Sequence, residues 1–103
     1  MVDESMKSDK LVRDKIPEII KSKGEKCSFH IANEKEYWQK LKEKLYEETD
    51  EFLKNEDEEE LADILEVINA ICKFKNIDKN YLEELRREKT DTKGSFDEKV
   101  ILD

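Results

Sequence analysis

The chain has 103 residues, enough for one domain, and its net charge is −8. That charge argues against binding to nucleic acid or to an anionic membrane through bulk electrostatics. Charged residues make up 47% of the chain, but Leu, Ile, Val and Phe still account for about a quarter of it and recur periodically, so we expect it to fold.

Compartment and assembly are also constrained by the sequence. No apolar run approaches the length of a membrane span, and residues 1–10 lack the apolar centre of a signal peptide. Cys27 and Cys72 are far apart and have no metal-binding spacing, which predicts reduced thiols and a cytoplasmic protein. A domain of this size has a small core, so association between subunits is expected.

The chain begins with a polar stretch, and we predict a flexible segment over 1–9 followed by a single domain over 10–103. Pro17 suits the first turn of a short helix, and Gly24 marks the end of that helix. Two cationic residues, Lys10 and Arg13, precede it.

Periodic apolar residues predict three longer helices, over 34–53, 57–75 and 79–90. Asn33 is the predicted N-cap of the first of these helices. The second is apolar over a wide arc, which indicates burial on more than one side, including against a partner subunit. Alternation over 27–31 allows a short strand that residues 98–102 pair with. The predicted fold class is therefore all-α, an antiparallel helical bundle with at most this minor β pair.

Two acidic pairs flank the predicted turn between the first two long helices. Glu48 and Glu51 are three residues apart, as are Glu60 and Asp63, so each pair shares one helix face. In an antiparallel hairpin, residues equally far from the turn lie at the same height, which puts Glu51 opposite Glu60 and Glu48 opposite Asp63. The spacing predicts a compact box of four carboxylates.

The surroundings of two of these acids are apolar. Glu48 lies on the same stripe as Leu45 and Phe52, and Asp63 lies between Ala62 and Ile64. A buried acid destabilises a fold unless it is paired, and carboxylates at close range repel one another. Each acid therefore needs a compensating interaction.

A basic partner, a raised pKa or a divalent cation would each supply that compensation. Residues 60–70 contain no Lys or Arg, so the second helix offers no local cation. Oxygen-only ligands favour Mg²⁺, with Mn²⁺ as a substitute. The alternative interpretation is that acids are favoured by a helix N-terminus or lie on a solvated face; it fits 56–59 better than Glu48 and Asp63.

Several motifs resemble those of a known family. They are, in chain order, Leu11-Val12-Arg13-Asp14-Lys15-Ile16-Pro17, Glu47-Glu48-x-x-Glu51, Glu60-x-x-Asp63, Glu88-Lys89 and Gly94-x-Phe96. Together they resemble the MazG-like, phosphoribosyl-ATP-pyrophosphohydrolase-like proteins of the all-α nucleoside triphosphate pyrophosphatase superfamily. The resemblance extends over nearly the whole chain, from residue 10 to residue 102.

The resemblance implies Mg²⁺-dependent hydrolysis of a nucleoside triphosphate between its α- and β-phosphates, which yields the monophosphate and pyrophosphate. The family's metal-binding acids correspond here to Glu48, Glu51, Glu60 and Asp63. Members of the family form dimers or tetramers of helical bundles, so a homodimer or homotetramer is expected here.

Motif position and charge suggest further roles. Glu47 and Glu51 are the candidates for the general base that deprotonates water. Lys10, Arg13 and Lys89 are the candidates for holding the phosphate chain of the nucleotide.

Two other functions are compatible with the same residues. One is hydrolysis of phosphoribosyl-ATP in histidine biosynthesis, which uses the same chemistry on another substrate. The other is a catalytically silent helical interaction module, in which the acids are only structural or regulatory.

Overall fold

The computed structural model describes residues 9–103. Four helices occur in that range and no strand does: α1 (Ile16–Ser22), α2 (Glu34–Asn55), α3 (Glu58–Lys75) and α4 (Lys79–Lys93). The prediction of an all-α protein is confirmed at this level, whereas the particular bundle type stays a prediction. The flexible segment predicted over 1–9 lies outside the described residues except for Asp9.

The chain divides into two compact units, Met1–Ile71 and Cys72–Asp103, and the boundary between them falls within α3. The first unit contains α1, α2 and most of α3. The second contains the last turn of α3, together with α4 and the tail.

Helix α1 is stopped by a backbone motif that needs a glycine. Gly24 has a φ of 79°, and its N–H donates to the carbonyl of Lys21, while the N–H of Glu25 donates to the carbonyl of Ile20. This pair of bonds satisfies carbonyls that the helix leaves unpaired, and the left-handed conformation at its centre favours glycine. Pro17 lies in the first turn, as predicted.

Helix α2 begins where the sequence predicts. The side chain of Asn33 accepts a hydrogen bond from the backbone N–H of Glu36 at 2.9 Å. The carboxylate of Glu36 contacts Nε2 of His30 at 2.9 and 3.1 Å, so it anchors the exposed segment before the helix. The cap of α2 is therefore tied to the chain that leads into it.

Two residues, Glu56 and Asp57, connect α2 to α3, and helices joined by so short a loop run antiparallel. Glu56 adopts the left-handed conformation, with φ 53° and ψ 34°, and its N–H donates to the carbonyl of Phe52 at 2.7 Å. The side chain of Asp57 accepts from the N–H of Glu59. The predicted hairpin is therefore present.

The core of the first unit is small. Leu41 of α2 is 1% exposed and Val67 of α3 is 8% exposed, and Glu48 is buried on the same stripe as Leu41. Leu45 and Phe52, also on that stripe, are half-buried. A carboxylate therefore occupies a core position of the hairpin, as its spacing predicts.

The predicted β pair is wrong. Residues 27–31 and 98–102 contain no strand and belong to different units. Lys99 has a φ of 60° and its N–H donates to the carbonyl of Phe96, a turn that breaks an extended run. The ammonium of Lys21 lies 5.2 Å from the centre of the Phe29 ring, which gives that ring a local partner.

Helix α4 extends to Lys93, beyond the predicted end at residue 90. The side chain of Asp78 caps its start by accepting from the N–H of Asn80 at 2.7 Å. Its end coincides with Gly94, whose φ is 89°. Within residues 9–103, none of the helices is both long and apolar enough to span a bilayer.

Candidate functional site

The first acid of the predicted box, Glu48, is buried, with 6% of its surface exposed. One of its oxygens, Oε1, lies 3.2 Å from Nζ of Lys44, one turn earlier on α2. The other oxygen, Oε2, is buried and has no hydrogen-bond partner. An unsatisfied buried acceptor lowers stability by about 1–3 kcal/mol, and the hairpin holds a second one, Oδ1 of Asn69 on α3.

A short chain of alternating charges surrounds Glu48. Nζ of Lys44 also lies 3.3 Å from Oε2 of Glu47, and Oε1 of Glu47 lies 3.1 Å from Nζ of Lys10. The side chains of Lys10, Lys44 and Glu47 are between 15% and 17% exposed, so solvent screens these pairs only in part. Glu47 is thus held between two lysines.

On α3, Asp63 pairs with a cation from far along the sequence. Nη2 of Arg13 lies 2.8 Å from Oδ1 of Asp63, and the two side chains are 58% and 39% exposed. Residues 60–70 of α3 contain no Lys or Arg, but the segment before α1 supplies a cation. The aspartate is therefore neutralised by a basic partner in this structure.

Glu51 lies beside Glu48 and Glu47 on α2. The pKa of Glu51 is raised above its ordinary value of 4.5, chiefly by burial and then by the negative charges of Glu48 and Glu47. A hydrogen bond between its protonated form and Glu48 adds to the rise, and the charge of Lys44 opposes it. Glu51 therefore holds a proton more tightly than an ordinary glutamate does.

Glu60, the fourth predicted ligand, accepts a hydrogen bond from Nδ2 of Asn55 at 2.9 Å, which links the two sides of the turn. All four acids lie on the hairpin, but each has a different neighbour. Among residues 9–103, no group of three or more Asp, Glu, His or Cys side chains is arranged to hold a metal ion.

A groove of about 380 Å³ lies along α2, and of the four predicted ligands Glu51 lines it. It is lined by Asp9, Lys10, Leu11, Lys40, Glu43, Lys44, Tyr46, Glu47, Asp50 and Glu51. Three lysines and five acids line the groove, so the charge of its lining is negative. The lysines can bind anionic groups, but a polyphosphate would also need a divalent cation to offset the acids. The two candidate bases, Glu47 and Glu51, line the same groove.

Sequence reasoning missed two lysines of this groove. Lys40 and Lys44 are four residues apart, and Lys44 is four residues before Glu48, so both lie on the face that carries the acids. The signal for them in the sequence is this four-residue spacing, which is local to α2.

The remaining predicted residue, Lys89, lies exposed on α4, in the second unit. Its role in holding phosphate stays a prediction.

Comparison with known proteins found no matching family model, no similar curated protein and no similar solved structure.

Proposed function

We propose that the chain is a Mg²⁺-dependent nucleotide pyrophosphohydrolase that cleaves a nucleoside triphosphate between its α- and β-phosphates. The observation that carries this proposal is the buried, unpartnered Oε2 of Glu48, next to a glutamate of raised pKa and a groove with lysines on its wall. A buried acceptor without a partner destabilises a fold, and a hard cation would relieve that cost by binding the oxygen.

The chemical type of the donor set suits the proposed metal, although among residues 9–103 no three such side chains are arranged to hold one, so the acids would have to draw together around it. Glu48, Glu51, Glu60 and Asp63 offer only carboxylate oxygens, which suit Mg²⁺ or Mn²⁺ better than Zn²⁺. When bound, the ion would neutralise charge on the phosphates and on the leaving pyrophosphate. Glu48 and Asp63 each have one oxygen paired with a cation, Lys44 and Arg13 respectively, and a bound metal would compete with these partners.

Of the two candidate bases, Glu51 is better suited to accept a proton from water. Its raised pKa brings it closer to neutrality, where a general base is most effective. Glu47 is held between Lys10 and Lys44. In the proposed reaction, Glu47 positions those lysines along the groove, and the lysines bind the phosphate chain.

Assembly and location complete the proposal. Exposed apolar side chains on α2 and α3 support a homodimer or homotetramer. The two unpaired cysteines support a cytoplasmic location.

A release assay tests the function. Glu48→Gln and Asp63→Asn should each lower Mg²⁺-dependent pyrophosphate release by about 100-fold or more, because even the loss of a residue that only supports a ligand costs up to that much. Glu34→Gln, an exposed acid on the same helix that does not line the groove, is the matched control and should retain activity. Circular dichroism checks that the helices persist. Full activity in either ligand variant would refute the proposed site.

A catalytically silent interaction module is the second candidate, because cations already neutralise Asp63 and Glu47. Calorimetry with Mg²⁺ or Mn²⁺ separates the two functions. Absence of binding at millimolar metal, with and without a non-hydrolysable nucleotide, would favour the silent module.

A further inference from the structure

The segment 10–13, here named the strap, joins both helices of the hairpin through ion pairs. Lys10 contacts Glu47 on α2 at 3.1 Å, and Arg13 contacts Asp63 on α3 at 2.8 Å. These contacts span 37 and 50 residues of sequence, so they are tertiary interactions. One short segment therefore neutralises an acid on each helix.

The ion pair of Arg13 can open at little cost, whereas that of Lys10 is largely shielded from water. The Arg13 and Asp63 side chains are both more than a third exposed, and water screens such a pair strongly. Glu47 keeps Lys44 at 3.3 Å when Lys10 leaves, so no buried charge is stranded. The strap thus neutralises both acids through ion pairs, and its contact with Asp63 is weak enough for a competing cation to displace Arg13.

A divalent cation and the guanidinium of Arg13 compete for the same carboxylate of Asp63, because both are held there by negative charge on its oxygens. If Arg13 is released beside a bound nucleotide, its guanidinium can bind a phosphate of that nucleotide instead, since arginine and phosphate form charge-assisted hydrogen bonds. Lys10 already lines the groove beside α2.

We propose that the strap is a cation-exchange device. Without metal, Lys10 and Arg13 neutralise Glu47 and Asp63; when a divalent cation takes Asp63, the strap transfers its charges to the phosphates of the nucleotide. This inference rests on the proposed function. It predicts that Arg13 opposes metal binding and supports nucleotide binding, two effects of opposite sign.

Calorimetry of the full chain with Mn²⁺ alone measures the first effect. Arg13→Met should tighten Mn²⁺ binding by about two- to fivefold, which is the fold-change that corresponds to an exposed ion pair. Lys15→Met removes the same charge two residues away and is the matched control for general electrostatic attraction. Its Mn²⁺ affinity should change less than that of Arg13→Met.

The second effect is measured with a non-hydrolysable triphosphate analogue in saturating Mg²⁺. Arg13→Met should weaken binding of this analogue by about tenfold or more, because hydrogen bonds between charged groups are lost. Trypsin gives an independent readout on the unaltered chain: Mn²⁺ alone should speed cleavage after Arg13, and adding the analogue should slow it again.

The outcomes separate the two proposals. If the unaltered chain binds neither Mn²⁺ nor Mg²⁺, both the function and the exchange are refuted. If it binds metal but Arg13→Met leaves the affinity unchanged or weakens it, the exchange is refuted and the function stands. If Arg13→Met fails to fold, Arg13→Gln, which also removes the charge at Asp63 but keeps a polar side chain, should show the same pair of opposite effects.

Discussion

At the scale of single residues, the hairpin concentrates negative charge where water is scarce. Glu48 and Glu51 are one turn apart on α2. Lys44 forms an ion pair with Glu48, and its charge also acts on Glu51. The raised pKa of Glu51 means that its ionised form is less stable in the folded chain than in water. Folding and ionisation of Glu51 therefore oppose each other.

This opposition predicts how Glu51→Gln changes stability with pH in metal-free buffer. A carboxyl group whose pKa is raised by folding adds stability below its ordinary pKa of 4.5, and that stability is lost as pH rises through the raised value. Glu51→Gln should therefore melt at a higher temperature than the unaltered chain at pH 7. The difference should shrink towards pH 4. Thermal unfolding followed by circular dichroism measures it.

Glu83 supplies the control of opposite sign. A hydrogen bond from Arg86, followed by the charges of Arg86 and Arg87, lowers the pKa of Glu83. Its stabilising effect is present above the ordinary pKa and is lost as pH falls through the lowered value. Glu83→Gln should therefore melt lower than the unaltered chain at pH 7, with the gap closing in acid. Equal pH dependence in the two variants would contradict the assignment.

The candidate site was predictable from the sequence only in part. The burial of Glu48 follows from its position on an apolar stripe, which is local information. The partner of Asp63 does not, because Arg13 lies 50 residues away and is placed by tertiary packing. The residues of α3 carry no information about a cation that the segment before α1 brings to it.

At the scale of elements, the helices were predictable because their signals are local. Asn33 and Asp78 cap α2 and α4, and Gly24 and Gly94 have positive φ where α1 and α4 end. The β pair failed because strand pairing depends on a distant partner, and alternation over five residues says nothing about that partner.

The residue that follows α2, Glu56, is not of the type usually found in a left-handed position after a helix, where Gly or Asn is favoured. Glu56 is left-handed there, whereas the left-handed residue after α3 is Asn76, a type that tolerates this conformation better. For an ordinary L-residue the left-handed conformation costs about 1–2 kcal/mol. The connection between α2 and α3 therefore carries avoidable strain.

We expect Glu56→Gly to stabilise the chain. The relief of left-handed strain exceeds the entropic cost of a glycine, which leaves a net gain of roughly 1 kcal/mol. Urea unfolding followed by circular dichroism measures the gain. Glu43→Gly, an exposed position inside α2, should instead lose about 1 kcal/mol. Comparable losses in both variants would show that the turn is unstrained.

At the scale of the whole molecule, apolar side chains remain exposed on the hairpin. Tyr46 and Leu53 of α2 are 77% and 70% exposed, and Leu61 and Leu65 of α3 are 46% and 67% exposed. Each pair lies on one side of its helix, two turns apart on α2 and one turn apart on α3. The wide apolar arc of α3 is thus exposed to solvent at Leu61 and Leu65. We propose that a second subunit packs there.

We expect the unaltered chain to have a mass in solution of at least twice its 12.3 kDa, as measured by light scattering after size-exclusion chromatography. Leu61→Lys combined with Leu65→Lys should shift it to the monomer mass, because burying two ammonium groups in an apolar contact is strongly unfavourable. Glu66→Lys makes the same change in net charge at an exposed position on another side of the helix and should leave the assembly intact. Dissociation by Glu66→Lys, or persistence of the assembly in the double variant, would place the contact elsewhere; a monomeric unaltered chain would refute it.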